Sequence, residues 1–211
     1  MYTPKFFASE DEALARRIVA DNAFGVLMTL PDAVASEMDI SHLPMLWRDG
    51  GGPHGHLIGH VAKANPHGAR LGGAAGSVAV FSGAHAYISP NWYANPALVP
   101  TWNYAAVHLH GMPRVIADEA GAIDILDTLV DAFESDASGN WSTAKLPEGV
   151  LVKQLRGIVA FEMPITRVET KVKMSQNRAP DDIAGVVAAL GRSEYQDDRA
   201  TADMMRELNG G

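Results

Sequence analysis

His54-Gly55-His56-Leu57-Ile58-Gly59-His60-Val61-Ala62-Lys63-Ala64-Asn65-Pro66-His67 reads as a strand running into a turn. The strand spans His56 to about Val61. From Lys63 to Gly76, Pro66 and four glycines interrupt regular structure, leaving a loop with room for a short helix around Ala64. Ser77-Val78-Ala79-Val80-Phe81 is the clearest short strand that follows. Ser82-Gly83-Ala84 reads as its turn, and His85-Ala86-Tyr87-Ile88 as the returning arm of a hairpin. Histidines and aromatic residues gather between His54 and His110, so chemistry is sought there first.

Upstream, Ser9-Glu10-Asp11-Glu12 has capping-box form with Ser9 as N-cap, which predicts a helix to about Asn22. Phe24 to Leu30 has strand composition without clean alternation, which predicts cover on both faces, and Pro31-Asp32 is its turn. His42 to Trp47 is another strand, where Pro44 argues for an edge or bulged position. Downstream, Asn91–Pro100 is a structured loop and Asn103–Ile116 is extended, with Met112-Pro113 as an interruption. Asp118-Glu119 opens a helix to about Glu134 whose apolar face is Ile123, Leu126, Leu129, Val130 and Phe133. A short helix is expected over 149–155. Gly157–Glu162 and Ile165–Val172 read as two strands parted by Pro164. A helix opens at Pro180 and buries Ile183, Val186, Val187 and Leu190, with Gly191 as a left-handed cap, and a last helix falls around Thr201–Leu208. Short strands in series with helices at both ends predict one domain, 1–211, mainly β with peripheral α, built as a barrel-like core.

Composition limits the partners. The 211 residues are 47% hydrophobic and 20% charged, enough to fill a core, so a disordered scaffold is excluded. A net charge of -8 supplies no long-range attraction to nucleic acid or an anionic membrane. The densest cationic run is Arg167, Lys171, Lys173 and Arg178. Absence of cysteine excludes disulfides, thiolate nucleophiles and sulfur-ligated metals. With no secretory leader pattern and no long apolar run, the expectation is a soluble, cytoplasmic protein without a membrane partner.

The residues bear on three chemistries. The pairs His54/His56 and His108/His110 each face one side of an extended chain, but no regular metal motif surrounds them, and no metal site is expected. Ser77, Ser82, Ser89 and Ser175 lack a nucleophile elbow, which disfavours hydrolysis. An anionic planar cofactor needs cations or hydroxyls for phosphate and apolar cover for a ring. His60, Lys63, Asn65 and Ser77 offer the first, Trp102-Asn103-Tyr104 the second, and Lys171, Lys173, Ser175, Gln176 and Asn177 a further cationic edge. On residues alone, tryptophans filling a core or a subunit interface fit equally well.

The blocks Met1-Tyr2-Thr3-Pro4, His42-Leu43-Pro44, Gly59 through His67, Ala86 through Tyr93, Val99 through Tyr104 and Lys171 through Arg178 together resemble the bacterial FMN-binding negative transcriptional regulators of the PaiB type, in the flavin-binding split-barrel group. The resemblance spans most of the chain in order. It implies a six-stranded split β-barrel with flanking helices, a homodimer, and FMN at the subunit interface. It places His60, Val61 and Lys63, before the Asn65-Pro66 pair, at the phosphate. His42 and Leu43, with Thr29 nearby, fall near the isoalloxazine edge, and Trp102, Asn103, Lys173, Ser175 and Gln176 complete the site from either subunit. It also implies repression of gene expression, although no recognition helix is visible and the net charge disfavours direct DNA contact. The competing account is a flavin-dependent oxidoreductase or flavin reductase using a nicotinamide donor, with His42, His60, Tyr104 and His108 as candidate acids.

Overall fold

The computed structural model describes residues 1–30 and 37–210; the turn expected at Pro31-Asp32 lies outside them. The elements in chain order are β1 (Ala8–Ser9), α1 (Glu12–Asp21), β2 (Phe24–Leu30), β3 (Asp39–Arg48), β4 (His56–Ala62), α2 (Pro66–Arg70), β5 (Gly76–Ile88), β6 (Thr101–Gly111), β7 (Arg114–Val115), α3 (Glu119–Phe133), α4 (Val150–Leu155), β8 (Ile158–Lys173), α5 (Pro180–Leu190) and α6 (Gln196–Asn209). Strands pair in the order β8-β4-β3-β2-β5-β6, and β6 pairs again with β8, closing a six-stranded β-barrel with peripheral helices as expected. β1 and β7 add to β8. No helix among the described residues is long and apolar enough to cross a membrane.

The chain divides into two compact units: one holds Met1–Asn22, Ser82–His108 and Glu169–Gly211, the other Ala23–Phe81 and Leu109–Val168. In the second unit Leu27, Met45, Leu57, Phe81, Leu109, Phe161 and Met163 are completely buried. Each such side chain stabilises the fold by about 1.5–3 kcal/mol before the entropy of ordering is subtracted. On the other face of its sheet, Ile58 and Ala160 pack against Ile125 and Leu129 of α3. In the first unit Ile18, Ile88, Val107, Val186, Leu190 and Met205 are the corresponding buried set.

Several elements depart from the sequence reading, each for a packing reason. Ser9 pairs with Thr170 of β8, so Asp11 caps α1 instead, accepting from the Leu14 amide at 3.1 Å. β2 alternates after all: Gly25, Leu27 and Thr29 are buried, while Phe24 and Leu30 are exposed. Pro44 sits inside the barrel's strand order, not at an edge, but where β3 exchanges partners: Pro44 pairs with Phe24, and Met45 with Gly59. Its missing N–H costs little there.

The expected hairpin at Ser82-Gly83-Ala84 is absent, and β5 runs on for 13 residues. A side chain at Gly83 would lie 3.2 Å from Ile18 and 3.3 Å from Ala105, so glycine serves close packing there and not a turn. β8 likewise continues through Pro164, which closes the register with β4 opposite His56. In α3 the buried residues are Ile125 and Leu129, while Phe133 is 50% exposed. In α5, Asp182, Val186 and Leu190 are buried in place of Ile183 and Val187, and Gly191 keeps a right-handed conformation.

Candidate functional site

Alternation along the strands sorts the site residues of the second unit onto two faces. β2 and β3 pair Phe24 with Pro44, Val26 with His42 and Met28 with Ile40. All six point away from the buried Leu27 and Met45. His60, beside the Met45–Gly59 pair, lies on this same outer face. Phe24 is 69% exposed and Ile40 60%, and the Phe24 and His42 rings lie 6.3 Å apart at 30°. The result is an apolar and aromatic surface bordered by two imidazoles. Burial holds the His60 imidazole below the usual histidine range, and its Nδ1 is buried with no partner among the described residues. A neutral ring with an unsatisfied buried nitrogen therefore sits within this face.

Thr29, Leu43 and Val61 fall on the inner face instead. Thr29 is fully buried and its hydroxyl lies 2.6 Å from that of Ser77; Leu43 and Val61 are core residues. Their contribution to this face is packing beneath it.

The turn after β4 is held by its backbone and by Asn65. The Lys63 amide donates to the Gly157 carbonyl at 2.8 Å. Asn65 Oδ1 accepts from the His67 amide at 3.0 Å, capping α2, which begins at Pro66 and not around Ala64. Asn65 Nδ2 donates to Ser41 Oγ at 3.0 Å, and Ser41 Oγ lies 2.8 Å from Nδ1 of the buried His67. Asn65 is therefore committed to shaping the turn. Lys63 is exposed, its ammonium takes no protein partner among the described residues, and it lines a 360 Å³ open cavity with Ile116, Asp118, Glu119, Val152 and Arg156. Val152 in α4, Arg156 at its C-terminal cap and Ile116 after β7 escaped the sequence reading because they share no motif with Lys63.

The remaining predicted residues belong to the first unit. Trp102 is 54% exposed, stacked at 6.5 Å on His85 and edge-on at 6.0 Å to Tyr87. Lys173 Nζ donates to the Trp102 carbonyl at 2.8 Å and to Thr101 Oγ1. Burial first, then the charges of Lys171 and Arg178, lower its pKa. Asn103 is fully buried and donates to Ser175 Oγ at 2.9 Å, while Ser175 holds φ at 65°, uncommon for a residue with a side chain. Gln176 accepts from the Met174 amide at 2.7 Å and donates to the Val172 carbonyl at 2.6 Å. Asn103, Ser175 and Gln176 thus satisfy one another and the backbone, leaving Trp102 and Lys173 as the surface groups of this set.

A family model described as "Putative FMN-binding domain" matches residues 1–167. The chain is 29% identical over 207 residues to the protease synthase and sporulation protein PAI 2 of Bacillus subtilis, covering 98% of this chain and 97% of that protein. Two solved structures share the fold: the flavocytochrome Anf3 of Azotobacter vinelandii, 17% identical with TM-score 0.61 over 87% of this chain and 78% of that one, and an FAD- and heme-binding protein of Mycobacterium smegmatis, 19% identical with TM-score 0.61 over 84% and 78%.

Proposed function

Since this chain belongs to the "Putative FMN-binding domain" family and is PaiB-like in its relatives and fold, we propose that it binds FMN through Lys63 and the outer face bearing Phe24, His42 and His60. The observation that carries this reading is the arrangement of the second unit's outer face. The apolar outer face carries a neutral His60 whose buried Nδ1 is unsatisfied among the described residues, and the turn ending its strand presents Lys63, whose ammonium has no partner among them. Apolar cover suits a flat heteroaromatic ring, the imidazole its polar edge, and a free ammonium its phosphate. Trp102 and Lys173 of a second copy are candidates to complete the site. Bound flavin would supply redox chemistry; the protein supplies binding, orientation and exclusion of water.

A second copy has a physical role in this reading. Phe24, Ile40 and Met28 leave apolar area in water that a partner chain and a flavin ring would together remove, so cofactor binding and dimerisation should strengthen each other. In this reading the homodimer acts as a negative regulator of transcription. Direct DNA contact is disfavoured by the net charge of -8 and by the acid pairs Asp181-Asp182 and Asp197-Asp198 that begin α5 and α6, so regulation would run through the flavin or another partner. The alternative, a flavin-dependent oxidoreductase with a nicotinamide donor, draws on His60, whose ring lies on the proposed ring-binding face and is held neutral by burial.

The deciding experiment is purification followed by FMN titration monitored by quenching of flavin fluorescence. A yellow protein, or a colourless one that takes up FMN saturably, supports the reading. A colourless protein that takes up none overturns it. Anaerobic mixing with NADH or NADPH then separates the two functions, since bleaching of bound flavin favours the oxidoreductase.

A further inference from the structure

The cavity beside Lys63 carries more chemistry than a flavin's single phosphate requires. Its volume of 360 Å³ falls within the range of about 300–1,000 Å³ typical of small-molecule and cofactor sites. Ile116, Val152, Leu155 and Ala160 give it apolar walls, Lys63 and Arg156 bring two cations, and Asp118 and Glu119 bring two carboxylates. Neither cation has a protein partner among the described residues. One Asp118 oxygen caps α3, accepting from the Gly121 amide at 2.7 Å, and the other has no hydrogen-bond partner among the described residues.

The mixture is selective. A site for inorganic oxyanions alone gains nothing from two carboxylates, which repel them, and a site for an apolar molecule alone gains nothing from two unpaired cations. A nucleoside 5′-phosphate uses all three chemistries: apolar walls for the base, carboxylate acceptors for the ribose diol, and cations for the phosphate.

We propose that this cavity is a nucleoside 5′-phosphate subsite, with Arg156 as its phosphate-binding cation. Resting on the reading that Lys63 grips the flavin phosphate, the cavity continues from that phosphate and takes the adenylate half of FAD. The same chemistry is carried by the adenylate of a nicotinamide dinucleotide bound beside FMN, and the test separates the two sources.

The test titrates FMN and FAD into the wild-type protein, Arg156→Gln and Val152→Trp, and titrates AMP into the FMN-loaded protein, all by calorimetry. Arg156 is exposed and Val152 is 37% exposed, so both variants leave the core intact. The expected result is FAD binding at least as tight as FMN, weakened about tenfold by either variant while FMN changes less than about twofold, the size of one lost charge-assisted bond. Saturable AMP binding to FMN-loaded protein that Arg156→Gln abolishes also supports the subsite and assigns it to a second dinucleotide. If FMN binds but neither FAD nor AMP does, or if the variants weaken FMN and FAD equally, the subsite is overturned and the flavin reading stands. If AMP binds and is lost in Arg156→Gln while FMN never binds, the flavin reading falls and the subsite stands.

Discussion

Ser41 Oγ lies 2.8 Å from His67 Nδ1 in the interior of the second unit, and Asn65 Nδ2 donates to the same hydroxyl at 3.0 Å. Asn65 occupies one lone pair of the Ser41 hydroxyl, and the other lone pair or the hydroxyl hydrogen serves His67 Nδ1 according to the ring's tautomer. His67 Nε2 is buried without a partner among the described residues, and burial, partly offset by Asp39 and reinforced by Arg70, lowers the His67 pKa. His60 is lowered by burial as well. Both rings are held neutral when folded, whereas in the unfolded chain they titrate near 6.5. Their contribution to stability is therefore full above pH 6.5 and is lost progressively as the pH falls from there through the lower folded values. Thermal midpoints measured across that window should drop on acidification, and the drop should be shallower in the double variant His60→Gln/His67→Asn. An equal acid slope in that variant would remove both histidines from the account.

Gly185 of α5 faces the backbone carbonyl of Trp92 so closely that a Cβ would overlap it. Gly185→Ala should destabilise the protein by about 1–3 kcal/mol despite the better helix propensity of alanine, because a carbonyl cannot swing aside as a side chain does. Gly73→Ala, where a Cβ meets nothing within 4 Å, is the control and should stay within about 0.5 kcal/mol. Urea midpoints that move alike for the two variants would show the close approach to be unimportant.

The contrast between these positions also explains what could be read in advance. Strands β2, β3, β4 and β6, the cap at Asp118 and the helix opened by Pro180 follow from local pattern, and the structure keeps them. Gly83 and Pro164 carry turn chemistry in isolation, yet tertiary packing at Gly83 and the end of the β4 register at Pro164 let β5 and β8 run through. In the site, alternation puts His42 and His60 together, but no local rule says that Asn65 is used up by α2 and Ser41, or that Arg156 lines the same cavity as Lys63. Such juxtapositions arise only when distant elements pack.

Lys63→Gln isolates the phosphate contact. Lys63 is exposed and anchors the turn through its amide, so the substitution leaves the backbone bond to Gly157 in place. FMN affinity should fall about tenfold, the loss of one charge-assisted hydrogen bond, while riboflavin, which lacks the phosphate, should change by less than about twofold. Raising the salt concentration should weaken FMN binding to wild type more than to the variant. Parallel losses for FMN and riboflavin in fluorescence titrations would move Lys63 away from the phosphate.

Phe24→Glu tests whether the outer face is covered by a second chain. Phe24 is 69% exposed in the single chain, with the His42 ring 6.3 Å away, so a carboxylate there is solvated and the folded monomer should lose less than about 1 kcal/mol. In a dimer the same carboxylate would be buried against apolar Ile40 and Met28, at a cost of several kcal/mol. Sedimentation should therefore show dimer for wild type and monomer for Phe24→Glu at equal concentration, with FMN affinity falling in step because ring burial and association are linked. Wild-type protein that sediments as single chains with FMN bound would confine the site to one chain, and a Phe24→Glu dimer of unchanged strength would place the interface on another face.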